Sequence, residues 1–342
     1  PMVEEAKEAV GSMGDDTPVA VLSDKYRPLS NFFRQNFSQV TNPPIDSLRE
    51  NEVMSLKTRF GNLGNILDFE NLTRDNIYVL ESPILSNSQF EKFSTFFKNK
   101  LKVLDCTFDI QSNLKKKLDQ LCSEAETAVR EGYKHLVLSD KKITEKKAPI
   151  PMILAFGAIN SKLIDLGIRG FVSINVQTAE ALDTHSFAVL LGVGATTINP
   201  YLVFDSIYQR YKKKLFRKFN YEECIQRYIK SVDSGLLKIM SKMGISVLSS
   251  YRGGCNFETV GLSRAIVAEY FPGIISRISG IGISGIEKKI KKLHKKTFQK
   301  NISILPIGGM YKYRKNGENH QYQGQLIHML QHAVTINSYE TY

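Results

Sequence analysis

Four cysteines, six histidines and three glycine-bearing loops are the parts of this chain whose residue types and spacing could do chemistry. Cys106, Cys122, Cys224 and Cys255 form no CxxC pair, and none has histidine at zinc-finger spacing. Three of them lie in apolar stretches and read as reduced, buried thiols of a cytoplasmic protein. Cys255 follows Arg252-Gly253-Gly254, a cationic setting of the kind a thiolate needs; the competing reading is an incidental structural residue. His328 and His332 stand at i, i+4, as paired metal ligands do on one helix face. Met329-Leu330-Gln331 lies between them and supplies no carboxylate, so no metal is expected. GSMGDD (11–16) offers glycines that admit close backbone approach and a flexible apolar contact in Met13. SYRGG (250–254) can cradle an anion through backbone N–H groups with Arg252 as counter-charge, which makes Tyr251, Arg252 and Gly253 the candidate anion loop; a plain strand-to-helix turn is the other reading. SRISGIGISG (276–285) is read as a loop outside any strand–turn–helix unit, so no dinucleotide is expected there.

The elements that must position these residues follow a clear rhythm. Residues 1–75 form an irregular lead-in, with a helix expected around 29–37. Asn42-Pro43-Pro44 then forces an extended or turning backbone, and Asp46 is a plausible N-cap for a helix opening at Ser47 and Leu48. GNLGNILD (61–68) reads as a loop. From about residue 76, strand-length apolar runs at 77–80, 101–108, 135–140, 151–159, 170–178, 195–200 and 245–250 alternate with helix candidates. The helices are expected at 113–131, 160–167, 179–192, 221–243 and 263–270, with a lysine-rich one at 286–294 and a short one at 325–334. Such alternation defines an α/β fold of β/α units around a mainly parallel sheet, and about seven units suggest a distorted (β/α)8-barrel-like arrangement. Several strands end in polar residues, among them Asp105, Asp140, Thr178 and Asn199; in this fold class strand ends hold ligands, though capping of the next helix serves for most of them.

A chain of 342 residues with 42% hydrophobic content can bury one large core or two smaller ones. No apolar run approaches the roughly 20 residues of a membrane helix, so no membrane partner is expected. Residues 1–10 are acidic and polar rather than a signal peptide, and the initial proline suggests a segment. The net charge of +12 gathers in lysine clusters at 115–117, 212–214 and 288–296. Apolar residues at helical spacing, such as Leu114, Leu118 and Leu121, mark these as solvated helix faces, and no base-stacking array accompanies them. No nucleic-acid partner is expected.

Eight collinear blocks resemble one family. They are GSMGDDTPVAVLS (11–23), VTNPPIDSLRE (40–50), LESPIL (80–85), TAEALDTHSFAVLLGVGATTINPYL (178–202), GLLKIMSKMGIS (235–246), SYRGGCNFETVGL (250–262), SRISGIG (276–282) and GGMYKYRKNGENH (308–320). In that order they resemble the central region of the glutamate synthase large subunit. The resemblance implies a non-catalytic domain over 1–310, with 311–342 a linker into an FMN-binding synthase domain that is missing here. It implies two domain partners, a glutaminase and an FMN-binding (β/α)8 barrel with an iron–sulfur cluster. In nicotinamide-dependent members there is also a small NAD(P)H-oxidising subunit. This segment would bind no cofactor alone. The loop holding Ser12, Met13 and Gly14 would face the flavin and 2-oxoglutarate of the neighbouring barrel, and the domain would help wall an ammonia passage. The glutaminase nucleophile and the closely spaced cluster cysteines of the family have no counterpart here. Two departures stand out: a histidine-rich stretch of the family is INSKLID (159–165) here, and its HHF is His185-Ser186-Phe187. They leave open any role of those histidines in ammonia passage, and they keep alive an alternative, a non-enzymatic remnant or interaction module of a split or decaying gene. A separate flavin- or phosphate-binding barrel enzyme is a third reading, which the collinear blocks disfavour.

Overall fold

The computed structural model describes residues 1–8, 14–37, 49–61, 67, 77–216, 218–299 and 306–342. The expected Asp46 N-cap and most of the 61–68 loop lie outside these residues. The lead-in carries β1 (Phe33–Gln35), α1 (Glu50–Val53) and β2 (Thr58–Phe60). The expected helix around 29–37 is instead a single 3-10 turn, Leu29–Phe32, running directly into β1. Leu29 and Phe32 bury their side chains from that turn, and Phe33 packs edge-on against Phe257 and Phe271, so tertiary packing overrides local helix propensity.

The body of the fold is a parallel sheet in the order β4-β6-β8-β9. It consists of β4 (Leu101–Asp105), β6 (His135–Ser139), β8 (Ser173–Gln177) and β9 (Thr197–Asn199), preceded by β3 (Tyr78–Leu80) and α2 (Asn87–Phe96). The register sets Asp105 beside Ser139, Ser139 beside Gln177 and Gln177 beside Asn199, so all four strands end together. Proline-containing LESPIL lies along the open edge: Leu85 N–H donates to Ile198 O at 2.9 Å and Ile198 N–H to Pro83 O at 2.8 Å. The crossovers are α3 (Leu114–Arg130), α4 (Met152–Asp165) and α5 (Thr184–Gly192), followed by α6 (Tyr201–Lys212). A small antiparallel pair, β5 (Thr107–Asp109) and β7 (Lys147–Pro149), flanks the sheet.

Further on come α7 (Tyr221–Lys242), the one-turn α8 (Leu248–Tyr251), β10 (Phe257–Leu262), α9 (Arg264–Tyr270), β11 (Ile275–Ile281), α10 (Ile283–Thr297) and α11 (Gly324–Thr335). β10 pairs parallel with β11 and antiparallel with β1, while β2 pairs antiparallel with β3. The α/β alternation and the parallel sheet of the sequence reading are therefore present; among the described residues the strands form four separate sheets, without closure into one barrel.

Three elements differ from expectation for identifiable reasons. The run 151–159 is helix rather than strand. An unbroken apolar run fits a buried strand and a buried helix equally, and α4 is enclosed on all sides, from Met152 through Ile159. The Glu180 carboxylate accepts from Met152 N–H at 2.8 Å and so starts the helix. Gly157 lets α9 approach: a Cβ there would stand 2.4 Å from the Phe271 ring. The run 245–250 makes one bridge, Ser55 with Val247, and then turns into α8. Finally, 276–285 does span a strand, a turn and a helix, since Gly282 is the N-cap between β11 and α10. Gly280 is used for packing, with a Cβ there falling 2.1 Å from Gly261 O. No acidic residue occurs between Glu287 and Glu318, so a ribose-binding carboxylate about 20 residues on is missing.

Candidate functional site

Gly14 lines a cavity of about 460 Å³ where the lead-in meets the segment that follows α10. Its φ of +87° is in the left-handed region, and a Cβ there would meet open space. Ser12 and Met13 fall outside the described residues. Asp16, Arg27, Arg34, Asp183, His185 and Tyr311 contribute polar lining.

One side of this cavity is a polar clasp between segments about 300 residues apart. His320 has an acceptor at each ring nitrogen, Asp16 Oδ1 at 2.8 Å from Nδ1 and Gly309 O at 2.6 Å from Nε2. Two acceptors favour the doubly protonated ring, so the Gly309 carbonyl, followed by Asp16, raises the imidazole pKa. The Asp16 carboxyl is lowered in turn, by His320 first and then by Tyr322 N–H. Arg27 Nε donates to Glu318 Oε2 at 3.0 Å, with the two side chains only 6% and 2% exposed. Burial pushes Glu318 up, but the Ser23 hydroxyl, Asn319 N–H and Arg27 outweigh it and leave the carboxyl below its ordinary range. Tyr311 donates to Asp183, the side chain that also N-caps α5 through Ser186 N–H at 2.9 Å. His185, whose neighbour is Ser186 where the family pattern has a second histidine, has Nε2 2.9 Å from Ser30 O.

The SYRGG residues are not brought around one point. Tyr251 turns into the core, its hydroxyl 2.7 Å from Gln35 Oε1 and 3.3 Å from Ala188 O. Arg252 N–H donates to Leu248 O and Gly254 N–H to Tyr251 O, so these amides close the turn instead of cradling an anion. Arg252 and Gly253 do line a second cavity, together with Arg169.

The polar strand ends satisfy one another. Ser139 donates to Gln177, Gln177 to Asn199, and Asn199 to Leu85 O and Asn87. Asp140 accepts from the Thr178 hydroxyl at 2.6 Å and from Ala179 N–H. Glu180 and Asp233 were not singled out by sequence, because nothing local marks them. Burial pushes both carboxyls to about 7, Glu180 at the N-terminus of α4 and Asp233 on α7 against the Ser82 hydroxyl. Burial raises the thiols of Cys106, Cys122 (to about 11) and Cys224, which keeps them protonated. Cys255 is exposed, with its sulfur near Gly253 O and Pro272 O and no base bonded to it. Among the described residues no group of three His, Cys, Asp or Glu side chains is placed to hold a metal, and no helix is long and apolar enough to cross a membrane. The described residues thus present a parallel α/β domain and a clasped loop.

The chain belongs to the glutamate synthase central domain family, whose model matches residues 1–263. It is 54% identical to the NADPH glutamate synthase large chain of Azospirillum brasilense over 345 residues, which covers 100% of this chain and 23% of that protein. It is 40% identical to the NADPH glutamate synthase large chain of Bacillus subtilis, covering 22% of it. It is also 37% identical to the chloroplastic ferredoxin-dependent glutamate synthase of Spinacia oleracea, again covering 22%. The chain therefore spans less than a quarter of the relatives' length, and it matches NADPH- and ferredoxin-dependent ones alike. These matches favour part of an enzyme over a remnant.

Proposed function

We propose that this chain is the connecting domain of a glutamate synthase, an oxidoreductase that makes L-glutamate from L-glutamine and 2-oxoglutarate in the cytoplasm. In this reading the catalytic centres belong to a flanking glutaminase domain and an FMN-binding barrel with an iron–sulfur cluster. A small NAD(P)H-oxidising subunit would complete a nicotinamide-dependent form. Residues 311–342 lead toward the barrel. The domain holds its neighbours in register and contributes part of the wall through which ammonia passes between the two sites, since ammonia must reach the flavin site without escaping to water.

The observation that carries this reading is the clasp. It fixes the Gly14 loop to the 306–323 segment through Asp16 and His320, while Arg27–Glu318 and Tyr311–Asp183 hold the same segment to the lead-in and to the start of α5. A loop that must approach a substrate in the next domain is thereby tied to the chain that enters that domain. Ser12, Met13 and Gly14 are the residues assigned to that approach. Replacing Gly14 by valine strains a left-handed backbone position, at a cost of about 1–3 kcal/mol. In the full-length enzyme Gly14→Val is expected to raise KM for 2-oxoglutarate about tenfold with glutaminase turnover unchanged. Unaltered 2-oxoglutarate kinetics would remove the loop from the synthase site.

A further inference from the structure

A second cavity, of about 330 Å³, opens where α4, the C-terminal ends of α5 and α9, and the turn after α8 come together. Two guanidinium groups line it, and no aspartate or glutamate does. Arg169 is oriented by Asn160 Oδ1 on its Nε at 2.6 Å, by Val172 O on Nη1 at 2.6 Å and by Gly194 O on Nη2 at 3.3 Å. Arg252 reaches the same place from the other side, with Nη2 donating to Thr196 O at 2.8 Å and to the Thr58 hydroxyl. Its Nε is buried with no partner among the described residues. Neither arginine forms an ion pair with a carboxylate among the described residues.

Carbonyl capping explains part of this arrangement, because the end of a helix carries partial negative charge and arginines commonly bind there. It does not explain all of it. A single carbonyl, Thr196 O beyond the end of α5, engages Arg252 and does so through Nη2, and two like charges remain close enough to oppose each other. Burial, and after it the Arg169 charge, push the Arg252 guanidinium down to about 10. Burial also lowers Arg169. A buried donor left without an acceptor, beside a second uncompensated cation, costs free energy that an anion would offset. Arginine matches oxyanions in particular, because its planar fork presents parallel N–H groups. A volume of 330 Å³ equals roughly ten waters at about 30 Å³ each, ample for a tetrahedral anion with part of its hydration.

We propose that this cavity binds a small oxyanion of the phosphate class, held by the Arg169 and Arg252 guanidinium groups. The site is separate from the Gly14 loop. It joins four elements that otherwise meet around an uncompensated positive charge, so its occupancy tightens the junction between α5, α9 and the α8–β10 turn.

Cys255 supplies a probe, because it lines the same cavity and is the exposed cysteine among those described. The experiment measures alkylation of Cys255 by neutral N-ethylmaleimide, resolved from the other thiols by peptide mass spectrometry, with inorganic phosphate or with sodium chloride at equal ionic strength. Phosphate at about 10 mM is expected to slow Cys255 alkylation at least ~3-fold relative to chloride, with the rate at Cys122 unchanged. Arg252→Lys keeps the charge and removes the fork, and should raise the half-protecting phosphate concentration at least ~5-fold. Equal rates in phosphate and chloride for the unaltered chain overturn the proposal without any variant. Full protection persisting in Arg252→Lys would also overturn it, as it would place the anion elsewhere.

Discussion

The parallel sheet and the clasp solve the same problem, holding distant segments together, with opposite chemistry. Between β4 and β9 the chain buries Leu136, Val137, Leu138, Ile174, Val176 and Ile198 at 0% exposure, with α4 packed against β6 and α3 against β4. Polar groups at the strand ends close into a network that asks nothing of a ligand. Between the lead-in and residues 306–323, by contrast, the hold consists largely of directed bonds among Asp16, Arg27, Glu318 and His320. Apolar packing is non-directional and tolerates little opening, whereas a polar clasp fixes one geometry and can release it. The difference suggests a rigid body that carries an adjustable edge.

The sharpest way to break the comparison is through the sheet side. Phe156 is fully buried on α4, and Phe156→Ala should cost about 3–5 kcal/mol of global stability, read by denaturant unfolding as one cooperative loss. Arg27→Ala should act locally instead. It leaves Glu318 buried without its cation, at a cost of about 3 kcal/mol, and amide exchange should accelerate in 306–323 while β6 and β8 keep their protection. Acceleration spread equally over the sheet would show that clasp and body are one unit.

Next in size is Asp233, whose carboxyl burial raises from 3.8 to about 7. A raised acid penalises the folded state once ionised, so stability should fall as pH climbs from about 4 to about 7. Asp233→Asn should flatten that slope and gain about 1–3 kcal/mol at alkaline pH, with no gain near pH 4, in thermal unfolding read across pH. The smallest effect belongs to the clasp's own titration. Support from His320 is present below its ordinary value of 6.5 and fades as pH rises through its raised folded value. Support from Asp16 is present above 3.8 and is lost as pH falls through its lowered one. Exchange in 306–323 should therefore be slowest between those limits, and His320→Gln should remove the alkaline limb and weaken the acid one, which keeps the Tyr322 N–H contribution to Asp16.

Much of this fold was legible. Asn113, Asn220 and Ser263 each accept a backbone N–H at the start of the helix expected beside them. Leu114, Leu118 and Leu121 form the buried stripe their spacing announced, and the neighbouring Lys115 pairs with Asp119 and Glu269 outside it. The 151–159 run was misread because enclosure, not periodicity, decides between strand and helix there. The two-ended site was harder to see. Asp16 and His320 are 304 residues apart, and nothing in either block names the other. Arg169 escaped notice because its partners are an amide and main-chain carbonyls, which carry no sequence signal. Gly14 was legible as a glycine that admits close backbone approach, whereas its positive φ and the cavity beside it were not.

The central proposal is that the clasp ties the Gly14 loop to a chain that would enter a synthase barrel and would so couple two chemical steps. The most direct measurement is the ratio of free ammonia to glutamate formed from glutamine and 2-oxoglutarate, in the full-length enzyme and its Arg27→Ala variant. The account predicts that glutamine hydrolysis continues in the variant while ammonia escapes and glutamate formation falls about tenfold. A variant that keeps the unaltered ratio, with its 306–323 segment demonstrably released, would contradict it.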